Sequence, residues 1–188
     1  MDDSGWQLCA PELREDEQAF VAEVLKLHRG LYDKHFAQDL LANHRLPIQV
    51  RAFRQTGDWR IFLLLCPWML SRCVSPKRDP GIPLPAGWEG TARAGADFIL
   101  LGPALSFRLL ETEHKAHLNF APQLGHYLLQ PLVLSMAQFE NAEAVFEAWN
   151  GVIETRKANM EKMQRRCKWQ EEVSRREFFH RFIARDKA

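Results

Sequence analysis

The chain lacks the short signatures on which catalysis usually rests. It has no G-x-G-x-x-G, no P-loop, no G-x-S-x-G and no H-E-x-x-H. No cluster joins a nucleophile to a base, so the sequence predicts a protein that is not an enzyme. C-x-x-C is absent as well. Cys9, Cys66, Cys73 and Cys167 are scattered, which suggests neither a zinc site nor a disulfide framework and favours a reducing compartment. His114 and His117 have the spacing of a metal pair on a helix, but they lie in a polar stretch with no Cys or third His nearby. No cofactor or metal is expected.

Long hydrophobic runs are missing too. The longest, IFLLLC at 61–66, is far too short to cross a bilayer. The opening MDDSGWQLCAPELRED is acidic, without a basic stretch leading into an apolar one, so it does not read as a secretory signal. The expectation is a cytoplasmic protein without membrane insertion. A formal net charge of +1 gives no global attraction to nucleic acid or anionic lipid.

What is present is ordinary globular material: 188 residues, 46% hydrophobic and 26% charged. That is enough for one domain with its own core. The charge is unevenly placed. Residues 1–20 carry six acids and one base, whereas residues 154–188 carry eleven Lys/Arg and six acids. The two ends attract a partner or each other, or they are simply solvated helix faces.

Residues 11–42 are predicted helical. Pro11 suits a first helical position, and Glu12, Glu15, Asp16 and Glu17 suit the positive end of the dipole. Phe20, Val24, Leu27, Leu31, Phe36 and Leu40 recur at helical spacing, with Gly30 a point of division and Asn43 a candidate cap. From Pro47 the period changes. IQVRAFR at 48–54 places Ile48, Val50 and Ala52 on one side, QTGD offers Gly57 for a turn, and WRIFLLLC at 59–66 is apolar on both faces. This predicts a hairpin whose second strand is central.

WMLSRCV at 68–74 is read as a short helix or a turn, and 75–90 as loop because of its Pro and Gly content. FILL (98–101) and ALSFRLLE (104–111) are strand-like on either side of Gly102-Pro103, followed by the polar connection with the two histidines. LGHYLLQPL at 124–132 is a further strand, with Pro131 at an edge or an end. Helix is expected from Ala137, with Phe139, Ala142, Val145, Phe146, Trp149, Val152 and Ile153 on one face. It continues to Arg176 with a thinning apolar stripe. The fold class is therefore α+β: a mostly antiparallel sheet packed by an N-terminal and a long C-terminal helix. The organisation is one domain over 1–188, helical to 46, sheet over 47–135, and helical from 136 with a basic, aromatic tail.

Three stretches carry a resemblance: GDWRIFLLLCPWMLSRCVSP at 57–76, LGHYLLQPLVLSMAQFENAEAVFEAW at 124–149, and SRREFF at 174–179. Together they resemble the [NiFe]-hydrogenase assembly chaperones of the HybE/HupJ/HoxT type, over roughly residues 47–180. The resemblance implies a cytoplasmic, non-catalytic accessory protein. It would bind a hydrogenase small and/or large subunit precursor and hold back export until cofactors are in place. In some operons such proteins are linked with a rubredoxin. The chain departs from the family pattern in a shorter loop after Pro76, a longer and more apolar segment over 98–123 with the Gly102-Pro103 break, and a longer C-terminal helix.

The partner-binding candidates are Trp59, Pro67, Trp68, Met69, Leu70, Tyr127, Pro131, Met136, Arg175, Arg176, Phe178 and Phe179. Trp59 and Trp68 are either core or, with Met69 and Leu70 presented beyond Pro67, an adaptable apolar surface for a client. Tyr127 and Pro131 either close the sheet or offer an edge for strand addition. SRREFFH resembles a twin-arginine export motif, but it is C-terminal and no apolar span follows it. Either its arginines are solvated while its phenylalanines dock the helix end, or it mimics a client's signal. The longer helix could also pair with a second copy. The competing class is a nucleic-acid-binding regulator that uses the basic C-terminal helix. Against it, the bases are interleaved with Glu161, Glu171, Glu172 and Glu177.

Overall fold

A computed structural model describes residues 5–183, with side chains through Met163. The chain divides into two compact units between Val145 and Phe146. The first holds a six-stranded sheet of β1 (Gln49–Thr56), β2 (Trp59–Cys66), β3 (Met69–Pro76), β4 (Ala104–Leu109), β5 (Thr112–Ala121) and β6 (Gly125–Val133). The strand order is β1-β2-β3-β6-β5-β4, and every pairing is antiparallel. Two three-stranded meanders are thus joined edge to edge through β3 and β6. The α+β expectation holds.

The strands form where side chains alternate between two faces. Even-numbered residues of β2 share a face with Ser71 and Cys73 of β3, and with Tyr127 and Leu129 of β6. Helix α2 (Glu17–Leu31) covers this face. Its Phe20 meets Phe62 and Phe53 edge-on, with centroids 6.0 and 6.3 Å apart. Burying such a ring contributes roughly 2–3 kcal/mol. The opposite face gathers Ile61, Val74, Phe107, Leu109, Leu118 and Leu128 around Trp6. Here the cover is irregular chain: the segment around Trp6 and the loop with Ile82, Leu84 and Trp88.

The predicted helix over 11–42 is divided, and at Asp16 rather than at Gly30. Helix α1 (Pro11–Glu15) ends there because Asp16 turns extended and its carboxylate accepts from the Ala19 N–H at 2.9 Å, starting α2 anew. The carbonyls at the end of α1 are taken by Arg60 of β2, whose Nη2 donates to Leu13 O at 2.7 Å and also to Arg14 O. The same guanidinium lies over the Phe20 ring, 4.2 Å from its centroid. A buried cation at a helix C-terminus answers the dipole there. α2 runs into a π-helical turn at Tyr32–Phe36. Asn43 does not cap a helix. It is buried, and its amide nitrogen donates to Met136 O at 2.9 Å and Phe139 O at 2.7 Å.

Several strand expectations are corrected. The alternation of β1 fails because a bulge falls between Arg51 and Arg54 and Ala52 takes φ +52°. Ala52 is exposed, and Phe53 turns inward instead to stack on Phe62. WMLSRCV is neither helix nor isolated turn: Pro67-Trp68 is a two-residue hairpin loop, and Met69 begins β3. FILL is not a strand. The polar stretch with the histidines is one, β5, and it puts His114 and His117 on opposite faces. Pro131 lies on a strand between two neighbours, but beyond the last β5 partner at Leu129, so its missing N–H breaks no ladder. The Gly57 turn is as expected, with φ +57°.

A short helix α3 (Gly90–Arg93) interrupts the long loop. The last helix, α4 (Ala142–Ile183), starts five residues later than expected, with Asn141 capping the Ala144 N–H at 3.0 Å. It continues without a break, as read. Val152, expected on its apolar face, is exposed.

Candidate functional site

Residues from four parts of the first unit surround one cleft of about 190 Å³. Leu27 and Leu31 come from α2, Lys34 and His35 from the π turn, and Trp88, Arg93 and Phe98 from the loop. Asn119, Phe120 and Tyr127 come from the ends of β5 and β6. Local chemistry explains each position. Beyond Leu118 the outer edge of β5 has no strand, because β4 pairs only as far as His117. The 98–103 segment takes that edge without forming a ladder. Leu118 N donates to Pro103 O at 2.9 Å, and the His117 Nδ1–H donates to Gly102 O at 2.7 Å. The Asn119 amide, oriented with nitrogen toward the loop, donates to Ile99 O and Leu100 O at 3.3 Å. Side-chain pins and Gly102-Pro103 thus replace strand pairing for FILL.

The far wall is set by a buried histidine. His126 is fully buried; its Nδ1 accepts from the Gln7 N–H at 2.8 Å, and its Nε2–H donates to Trp88 O at 2.7 Å. One neutral tautomer serves both bonds. Burial lowers its pKa, against the pull of those bonds. Beside it, Gly125 has φ +69°, and a Cβ there would sit 2.2 Å from Gln7 O. Trp88 is thereby fixed, and Arg93 lies over its ring at 4.8 Å while donating from Nη2 to Asp97 O at 2.7 Å. His35 stacks on Phe98, 4.6 Å between centroids.

Tyr127 is the most unusual member. Its side chain is only 8% exposed, and its hydroxyl has no hydrogen-bond partner among the described residues. Burial pushes its pKa upward, with the Cys73 and Cys66 thiols adding to the effect. Those thiols are themselves held neutral: burial lifts Cys66 well above the usual range and Cys73 to about 12. Neither is poised as a nucleophile at neutral pH.

The residues expected to meet a partner are distributed differently. Pro67, Trp68, Met69, Leu70 and Met136 are all buried. Trp68 stacks on Phe36 at 4.0 Å with nearly parallel rings, and Pro67 O accepts from the Asn43 N–H at 2.8 Å. The surface expected beyond Pro67 is therefore covered, because the chain reverses at once into β3 and the π turn closes over it. Trp59 is half-buried against Phe107, and Pro131 is half-buried. Tyr127 alone among them reaches the cleft. The Arg175, Arg176, Phe178 and Phe179 side chains lie outside the described residues.

Sequence reasoning missed Lys34, Trp88, Arg93, Phe98 and Asn119. The one usable signal was a tryptophan in a Pro- and Gly-rich loop, where a large ring needs something to cover it. In the second unit, α4 exposes Val152, Met160 and Met163 along one stripe with Ala148 and Gly151. Among the described residues no group of three or more His, Cys, Asp or Glu could hold a metal ion, and no helix is long and apolar enough to cross a membrane.

The first unit thus pairs a six-stranded antiparallel sheet with a cleft whose lining is part apolar and part charged. The family model for [NiFe]-hydrogenase assembly chaperone HybE matches residues 19–181. The chain belongs to that family, and is a hydrogenase assembly chaperone in that sense. No curated protein and no solved structure matches it.

Proposed function

We propose that the chain binds a [NiFe]-hydrogenase subunit precursor and holds it, without catalysing a reaction, until cofactor insertion and assembly are complete. Membership of the chaperone family carries this reading. The client is the small subunit with its twin-arginine signal, the large subunit, or both, and the work takes place in the cytoplasm. A rubredoxin-like accessory protein is a further partner, and the exposed stripe of α4 offers a route to self-association.

Trp59 and Pro131, both half-buried, and Tyr127, which lines the cleft, are the client contacts in the first unit. Pro67, Trp68, Met69, Leu70 and Met136 act from the core, holding the sheet ends in place. Arg175, Arg176, Phe178 and Phe179 form a signal-like tail that a genuine twin-arginine signal displaces.

The test is a pull-down of the tagged chain from a host making hydrogenase, beside a chain truncated before Ser174. Mass spectrometry should find a hydrogenase subunit precursor with its signal attached, and less of it on the truncated chain. Nucleic acid alone, or no hydrogenase subunit under any condition, would sink the reading. Equal recovery by both chains would remove only the tail's role.

A further inference from the structure

The cleft has a chemistry of its own. About half of its lining is apolar, with Leu27, Leu31, Trp88, Phe98 and Phe120 on that side. Its volume of about 190 Å³ somewhat exceeds the roughly 150 Å³ cavity that accepts a benzene ring. One aromatic side chain fills it, and a folded domain does not enter. Tyr127, itself only 8% exposed, lines it, and its hydroxyl has no hydrogen-bond partner among the described residues. A hydroxyl that spends its proton on no protein group is available to donate to a ligand acceptor.

The charges around the cleft are also uneven. Lys34 and Arg93 face one carboxylate, Asp97. Lys34 has no ion partner among the described residues, and Arg93 spends only Nη2 on a hydrogen bond, to a backbone carbonyl. The balance is one positive charge, which matches a monoanion better than a doubly charged phosphate. The Tyr127 phenol keeps its proton in this setting, so it offers an O–H to an acceptor.

We infer that this cleft binds an aromatic carboxylate, with the ring between Trp88, Phe98 and the α2 leucines and the carboxylate on the Tyr127 hydroxyl and Lys34. Such a ligand, with its carboxylate on a short aliphatic arm from the ring, comes either as a free arylalkyl carboxylic acid or as the C-terminal residue of a polypeptide. The inference stands on the geometry of the cleft and not on the client reading.

N-acetyl-L-phenylalanine and its neutral isostere N-acetyl-L-phenylalaninamide are the probes, titrated into the full chain by calorimetry. Amide NMR spectra report where each binds. A charge-assisted hydrogen bond together with an ion pair predicts that the acid binds at least about tenfold more tightly than the amide. Tyr127→Phe and Lys34→Gln should each weaken the acid by about tenfold and leave the amide unchanged. Tyr127→Phe removes only the unpaired hydroxyl, so its thermal midpoint should not fall, which separates lost binding from lost folding.

A nonapeptide ending in Phe, with a free or an amidated terminus, distinguishes the sources. Tighter binding of the free-terminus peptide than of the small acid assigns the site to a chain terminus, and equal binding assigns it to a free acid. The inference fails if acid and amide bind alike. It also fails if the acid is indifferent to both substitutions, if the shifted amides lie away from the cleft, or if nothing saturates at millimolar concentration. A failed pull-down with a working cleft would sink the client reading and leave this one. A cleft that binds nothing, with precursor still captured, would do the reverse.

Discussion

The two faces of the sheet are covered by different means. One lies under α2, whose residues Phe20, Val24 and His28 recur every four positions and are buried. The other lies under irregular chain, held by individual pins. Trp6 Nε1 donates to Ile82 O at 2.7 Å, and His126 joins Gln7 to Trp88. A helix covers a sheet by repetition, so its contribution is spread over many contacts. An irregular strap has no internal ladder, and each pin satisfies backbone groups that would otherwise be buried unpaired. Loss should therefore be graded by packing on the helical face and by single polar groups on the other.

The largest effect should come from the helical face. Phe20→Ala removes a ring that touches Phe53, Phe62 and the Arg60 guanidinium, and should lower stability by about 4 kcal/mol in denaturant unfolding. A loss below about 1 kcal/mol would mean that α2 closes over the gap and does not depend on this ring. On the strapped face, Gly125→Ala should cost about 3 kcal/mol, from the left-handed φ and the clash with Gln7 O. Protease sensitivity before Ala10 should rise with it, because Gly125 and His126 are where that segment docks.

Acid should act next, through both faces. Burial pushes His28 down to about 4, against the backbone bond from its Nδ1 to Val24 O. The folded state thus binds fewer protons than the unfolded one below the unfolded value of about 6.5. The contribution is complete above that pH and is lost as pH falls toward 4. Between pH 7 and 5 the loss should be about 2 kcal/mol. His126, also lowered, adds loss of the same sign. Unfolding curves across this range check the slope, and His28→Leu should flatten its share.

The smallest effect belongs to the exposed Arg51–Glu143 pair, 2.5 Å apart. Its hydrogen bond holds the Glu143 carboxyl below the usual range. Glu143→Gln should shift the thermal midpoint least of the four, and high salt should erase the difference.

The helical face was legible and the strapped face was not, and particular residues show why. Phe20 and Val24 announce themselves by spacing. Gly57 announces a turn by its type and its flanking strands. By contrast, β5 carries His114, Lys115, His117 and Asn119, a polar run that reads as a loop until β4 and β6 stand on either side of it. FILL has strand composition, but the edge it meets is already served by the side chains of His117 and Asn119. Trp68 and Met69 looked presentable because Pro67 stops a strand, yet a two-residue turn returned them to the core. The cleft escaped notice because its walls come from residues as far apart as Leu27 and Tyr127.

Residue order alone determined the α+β class, the amphipathic α2, the Gly57 hairpin, the long uninterrupted α4 and the resemblance to the family. Those features depend on neighbours within a few positions, where spacing is visible. Only the tertiary structure decided that Pro67–Leu70 is buried, that His126 reaches Gln7 across 119 positions, and that Tyr127 faces a cleft with its hydroxyl unmet. Burial and polar pairing are properties of whatever arrives from elsewhere in the chain, and no local pattern records that arrival.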